Sequence, residues 1–159
     1  MQEGQPAPDF SLTDKEGVSY SLSGFIEPYV VLFFYPKDDT PGCTVEAKAF
    51  SDALAEFTTL GARVVGISGG TDETKGKFCV KHGLEVLLLS DTDFSVAKAY
   101  GVFGPKKFMG RTYDGIARQT FVLGAPNGSG ERNVVKHFTA VTPASHVAEV
   151  RAFLARERE

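Results

Sequence analysis

Apolar residues run without interruption from Tyr29 to Tyr35. Their β-branched and aromatic character predicts a strand buried on both faces, as in a parallel sheet. Pro36 ends the run, Asp38 and Asp39 are turn formers, and Thr40 before Pro41 predicts a helix start with a hydroxyl N-cap and proline at the first helical position. Val45, Phe50, Ala53, Leu54 and Phe57 then keep the helical period, so one helix is predicted over about 41–60, stopped at Gly61. Upstream, Phe10 and Leu12, then Val18, Tyr20 and Leu22, alternate on either side of a DKEG turn and predict a hairpin. Downstream, RVVGIS and EVLLLS read as strands. GGTDETKGKFCVKHG reads as a lysine-rich helix closed by Gly83, and SDTDFSVAKAYG as a short helix. Residues 102–117 read as a long loop. QTFVLG and NVVKHF should pair as a hairpin, and a last amphipathic helix, behind Thr142 and Pro143, carries Val147, Val150 and Leu154 on one face.

This order predicts an α/β fold with a central mixed sheet flanked by helices. It is the order of the thioredoxin fold, with an N-terminal hairpin and an inserted strand and helix over 86–100. Sites in open α/β sheets lie beyond the carboxyl ends of the strands, where Cys43 falls by connectivity. Cys43 would occupy the first turn of its helix, facing unpaired N–H groups and the positive end of the dipole, which is a nucleophile's setting. Free cysteines are more often small buried hydrophobes. That reading fits poorly here, because a first turn after a polar, proline-containing loop is expected to be partly exposed.

A length of 159 residues suits one domain over 1–159, and 42% hydrophobic with 23% charged content is that of an ordinary globular chain. The net charge of −3 argues against nucleic acid or an anionic membrane surface as a partner. MQEGQPAPDF lacks the basic and apolar regions of a secretory signal and no apolar run reaches membrane-spanning length, so a cytoplasmic protein is expected. The only cysteines, Cys43 and Cys79, form no CxxC pair and no zinc-ligand spacing. His82, His137 and His146 are scattered, each read as a surface or helix-end residue, and no metal site is expected.

The string FYPKDDTPGCTVEA carries proline, three residues, threonine, two residues and cysteine as Pro36, Thr40 and Cys43. With GVFG and GPKKFMGRTYDGIARQTFVL, it resembles the peroxiredoxin Q group, also called bacterioferritin comigratory protein, and the likeness covers essentially the whole chain. The resemblance implies that Cys43 is the peroxidatic cysteine and Arg118 the active-site arginine. Sulfur attack on a peroxide drives negative charge onto the departing oxygen, so donors around the O–O bond should matter most. Arg118, the Thr40 hydroxyl and the N–H groups of Gly42 and Cys43 could supply them, with Pro36 shielding the pocket from water. Taken without the resemblance, Arg118 reads equally well as a surface ion pair.

Many members of the group carry a resolving cysteine five residues after the peroxidatic one, where this chain has Lys48. Some instead resemble the arrangement here, with Cys79 on the next helix, 36 residues after Cys43. A disulfide between two folded helices would require local unwinding, which Gly76 makes easier on the second. The alternative is that Cys79 is inert core and the enzyme depends on an external thiol. The expected function is a thiol peroxidase acting on hydrogen peroxide and organic hydroperoxides, resolved as a Cys43–Cys79 disulfide and recycled by thioredoxin. It would be monomeric, with no cofactor. A redox-sensing or chaperone-like protein is the non-enzymatic rival. A thioredoxin-like oxidoreductase is disfavoured by the missing CxxC, and a Cys-His hydrolase by the absence of a histidine near Cys43 in the predicted topology.

Overall fold

In the computed structural model, which describes residues 2–157, the apolar run forms β3 (Tyr29–Phe34) near the centre of a seven-stranded mixed sheet. The other strands of this sheet are β1 (Ser11–Thr13), β2 (Ser19–Ser21), β4 (Ala62–Ser68), β5 (Leu87–Ser90), β8 (Gln119–Leu123) and β9 (Val134–Phe138), and the spatial order is β2-β1-β5-β4-β3-β8-β9. β3, β4 and β5 are parallel, whereas β8 runs antiparallel to β3 with Gln119 opposite Phe34. The N-terminal hairpin forms as expected and pairs with β5 through Thr13 and Ser90.

Because side chains alternate across a strand, β3 feeds two cores. Val31, Phe33 and Tyr35 point into one shared with α1 (Pro41–Asp52), α2 (Leu54–Thr59), α3 (Asp72–His82) and α5 (His146–Glu157). Val30, Leu32 and Phe34 enter the other, closed by α4 (Ser95–Ala99) and the N-terminal segment around Phe10 and Phe25. Phe33 stacks on Phe50 of α1 at 4.5 Å and Phe50 meets Phe57 of α2 at 5.7 Å, which seats the helix following Cys43 on the sheet. Full burial of each ring contributes roughly 2–3 kcal/mol.

The structure departs from the sequence reading in three places. The helix predicted over 41–60 breaks at Ala53, whose φ of −98° and ψ of 5° separate α1 from α2. Residues predicted as a loop over 102–117 form a two-stranded ribbon, β6 (Phe103–Phe108) against β7 (Arg111–Ile116). The last helix begins at His146, after a turn over 143–145 in which the His146 amide bonds to the Thr142 carbonyl at 3.0 Å.

Candidate active site

At the carboxyl end of β3 the chain turns through half-buried Pro36 and enters α1 at Pro41. Thr40 holds the N-cap position in extended conformation, as expected, but its hydroxyl does not cap the helix. It donates instead to the Lys37 carbonyl at 3.0 Å, closing the loop on itself. No side chain therefore caps α1, and its first-turn N–H groups are turned toward the space beyond the strand ends.

Cys43 sits in this first turn but is not partly exposed as expected: it is 1% exposed, because α1 packs its side chain into the core shared with Phe50. Arg118 is the residue before β8, and the antiparallel pairing with β3 brings it to the same end of the sheet. Its guanidinium forks: Nη2 donates to Cys43 Sγ at 3.3 Å and Nη1 to Glu46 Oε1 at 2.8 Å. Burial works against the Arg118 charge, but Cys43 and Glu46 hold its pKa above the ordinary value. The isolated surface ion pair weighed for Arg118 is thus replaced by a half-buried bridge with only 18% of its side chain exposed.

Glu46 was not anticipated. It is fully buried, its Oε2 has no hydrogen-bond partner, and burial pushes its pKa up to about 7 against the pull of Arg118. Its signal was present in the spacing: three residues after Cys43 on a helix, it shares the cysteine's face. A second cation comes from the unforeseen ribbon. Lys106 Nζ donates to the Ile116 carbonyl at 2.9 Å, and burial, aided by Arg118, lowers its pKa while Cys43 opposes.

His146 also differs from its reading as a surface or helix-end residue. It does open α5, but it is fully buried, with Nε2 2.7 Å from Thr120 Oγ1 and its ring edge-on to Phe50 and Phe138. Burial lowers its pKa against the pull of Glu149, 3.2 Å from Nδ1, and the nearby charge of Arg118 adds to the lowering. His82 pairs with Asp39, and His137 stacks on Phe121 at 4.1 Å. Among the described residues, no group of three or more His, Cys, Asp or Glu is gathered for a metal ion, and no helix is long and apolar enough to cross a membrane.

Cys79 stands apart from the Arg118 fork. It lies on α3 in the core it shares with Cys43, both are free thiols, and burial pushes the Cys79 thiol up although Lys15 opposes this. A cavity of about 480 Å³, lined also by Lys15, Leu54, Arg63 and Val86, borders Cys79 and not Cys43.

A mixed thioredoxin-like sheet with an arginine held on a cysteine at the start of the first helix defines a cysteine-dependent redox enzyme. The chain belongs to the AhpC/TSA family, which it matches over residues 3–128, and it is a peroxiredoxin, reducing a peroxide at the expense of a thiol. It is 42% identical over 149 residues to Peroxiredoxin Bcp of Bacillus subtilis, covering 94% of this chain and 92% of that one. A peroxiredoxin Q mutant of Xylella fastidiosa superposes with a TM-score of 0.90 at 29% identity, covering 100% and 98%. The bacterioferritin comigratory protein of Xanthomonas campestris, described for its alkyl peroxide reduction activity, gives 0.84 at 32% identity over 94% and 92%. Peroxiredoxin Q from that organism has been solved with each of two cysteines, 36 residues apart, replaced by serine.

Proposed function

We propose that Cys43 is the peroxidatic nucleophile of a peroxidase for hydrogen peroxide and organic hydroperoxides. The observation that carries this is the 3.3 Å contact from Arg118 Nη2 to Cys43 Sγ at an uncapped helix start. A peroxide oxygen entering beside the sulfur meets fixed positive charge from Arg118, the Thr40 hydroxyl, and the amides of Gly42 and Cys43. The sulfur attacks the terminal oxygen. An S–O bond forms as the O–O bond breaks, and the electron pair leaves on the other oxygen, which takes a proton from water and departs as water or alcohol. The charge that develops on the leaving oxygen is what Arg118 and the helix amides stabilise. Pro36 walls the site from bulk water, which keeps these interactions strong. Glu46 anchors the other arm of the guanidinium and so fixes its direction.

The product is a Cys43 sulfenic acid. The Cys79 thiol attacks its sulfur, an S–S bond forms, and the oxygen leaves as water. The cysteine spacing of the Xanthomonas protein, equal to that of Cys43 and Cys79, supports the pairing. Thioredoxin or a similar dithiol protein then reduces the disulfide. The enzyme acts as a one-domain monomer in the cytoplasm. Cys43→Ser should abolish thioredoxin-coupled peroxide consumption, whereas Cys79→Ser should retain a single turnover and lose the coupling. Wild-type turnover in Cys43→Ser would sink the assignment, and unchanged thioredoxin coupling in Cys79→Ser would point to a one-cysteine enzyme using an external thiol.

A further inference from the structure

The loop before Cys43 grips α3 at both ends through two adjacent aspartates. At the N-terminal end, Asp38 Oδ2 accepts from Thr74 Oγ1 at 2.8 Å and from Lys75 Nζ at 3.3 Å. Its Oδ1 accepts from the Tyr35 hydroxyl at 2.6 Å, tying the grip to the end of β3. Lys75 is fully buried, and its ammonium also donates to Ser68 Oγ at 2.8 Å. At the C-terminal end, Asp39 Oδ2 accepts from Lys81 Nζ at 2.9 Å and Oδ1 pairs with His82 Nε2 at 2.8 Å. Asp39 does so from a left-handed backbone with φ of +59°, uncommon for a residue other than glycine. Gly70 leaves room for the arrangement, since a Cβ there would collide with the Asp38 carboxylate.

Between these grips α3 is anchored in the core by Phe78, whose ring meets Tyr35 at 6.3 Å, but it carries Gly76 three residues before Cys79 and leaves Val80 almost entirely exposed. The segments joined are the loop of Cys43 and the helix of Cys79, whose thiols are both free and buried in one core, so a bond between the two sulfurs draws on movement of one segment against the other. We infer that Asp38 and Asp39 are positioning residues for the resolution step, a clamp that keeps α3 seated and sets how often Cys79 is released toward oxidised Cys43. The inference rests on the reading of Cys79 as the resolving cysteine. Its chemistry is the sulfenic-acid condensation above, with no further reactant.

The test uses the full-length reduced protein, one equivalent of hydrogen peroxide, rapid acid quench and intact mass. Asp39→Asn and Lys81→Ala lie on the surface and weaken the C-terminal grip. Asp38→Asn combined with Lys75→Met removes the buried grip without leaving an unpaired charge. Loss of the exposed grip should speed conversion of sulfenic acid to disulfide about three- to ten-fold, leave the preceding peroxide step unchanged, and lower the fraction overoxidised per turnover. Amide hydrogen exchange over 77–82 should quicken by a similar factor in the reduced protein. Added salt should accelerate resolution in the wild type and less so in Asp39→Asn. An unchanged or slower disulfide step in Asp39→Asn and Lys81→Ala would overturn the inference, whether or not the buried double variant folds. Absence of any disulfide in the wild type would overturn the Cys79 reading and the inference with it. Exchange over 77–82 would then still report whether the aspartates hold the helix.

Discussion

Replacing Glu46 by glutamine should remove a pH dependence of stability that the buried carboxyl builds into the reduced protein. Burial raises the Glu46 pKa from 4.5 to about 7. Below the unfolded value both states hold the proton and the group is neutral. Between the two values the native state keeps a proton that the unfolded chain has released, so stability falls as pH rises. Above about pH 7 the loss is complete and constant. At about 1.4 kcal/mol per pKa unit, the full loss is roughly 3 kcal/mol. The assay is urea unfolding of wild type and Glu46→Gln under reducing conditions at several pH values from 5 to 8. With a urea slope of about 2 kcal/mol/M, the wild-type midpoint should drop by about 1 M more than that of the variant across this range. Ionisable groups other than Glu46 are common to both proteins and drop out of the comparison. Parallel midpoints across the range would refute the claim that Glu46 pays for its burial in this way.

Arg118→Ala should slow the peroxide step by about 10²-fold or more, read as the second-order rate of sulfenic acid formation by quenched flow. Arg118→Lys should recover little of this, because a single ammonium cannot bridge Cys43 and Glu46 as the fork does. Gly42→Ala places a Cβ 3.1 Å from Arg118 Nη2 and 3.5 Å from Pro143 Cγ. It should displace the guanidinium from the sulfur and cut the same rate several-fold while moving the urea midpoint little, and a wild-type rate would show that the contact is not needed.

The parts of the molecule that were legible in the sequence are those where local chemistry and tertiary packing agree. β3, the start of α1 at Pro41 and the left-handed stop of α3 at Gly83 follow from an unbroken apolar run, a proline and a glycine whose roles the packing leaves unchanged. The break at Ala53 left no trace in the periodicity, because Phe50, Ala53 and Phe57 all face one core across it. The ribbon of β6 and β7 was hidden for a different reason. β7 is largely exposed and so lacks the alternation of a half-buried strand. The ribbon turns through Met109 and Gly110, both at positive φ, where the usual sequence signal would be Asn-Gly. Of the residues read as a site, Pro36, Thr40, Cys43 and Arg118 lie at one end of the sheet, and Cys79 lies away from the Arg118 fork. Glu46 and Lys75 carry no sequence signal of a buried role, and Asp38 reads only as a turn former, because a charged residue on a helix or in a turn is ordinarily solvated. Only the fold reveals that these three are drawn inside by one another or by Arg118.

The chemistry at Cys43 is tested most directly by intact mass with peptide mapping of the reduced protein after one equivalent of hydrogen peroxide. The protein should lose two hydrogens and gain a crosslink between the peptides of Cys43 and Cys79, replaced by a Cys43 sulfenic acid in Cys79→Ser. Peroxide consumed while Cys43 stays unmodified in both proteins would contradict that chemistry.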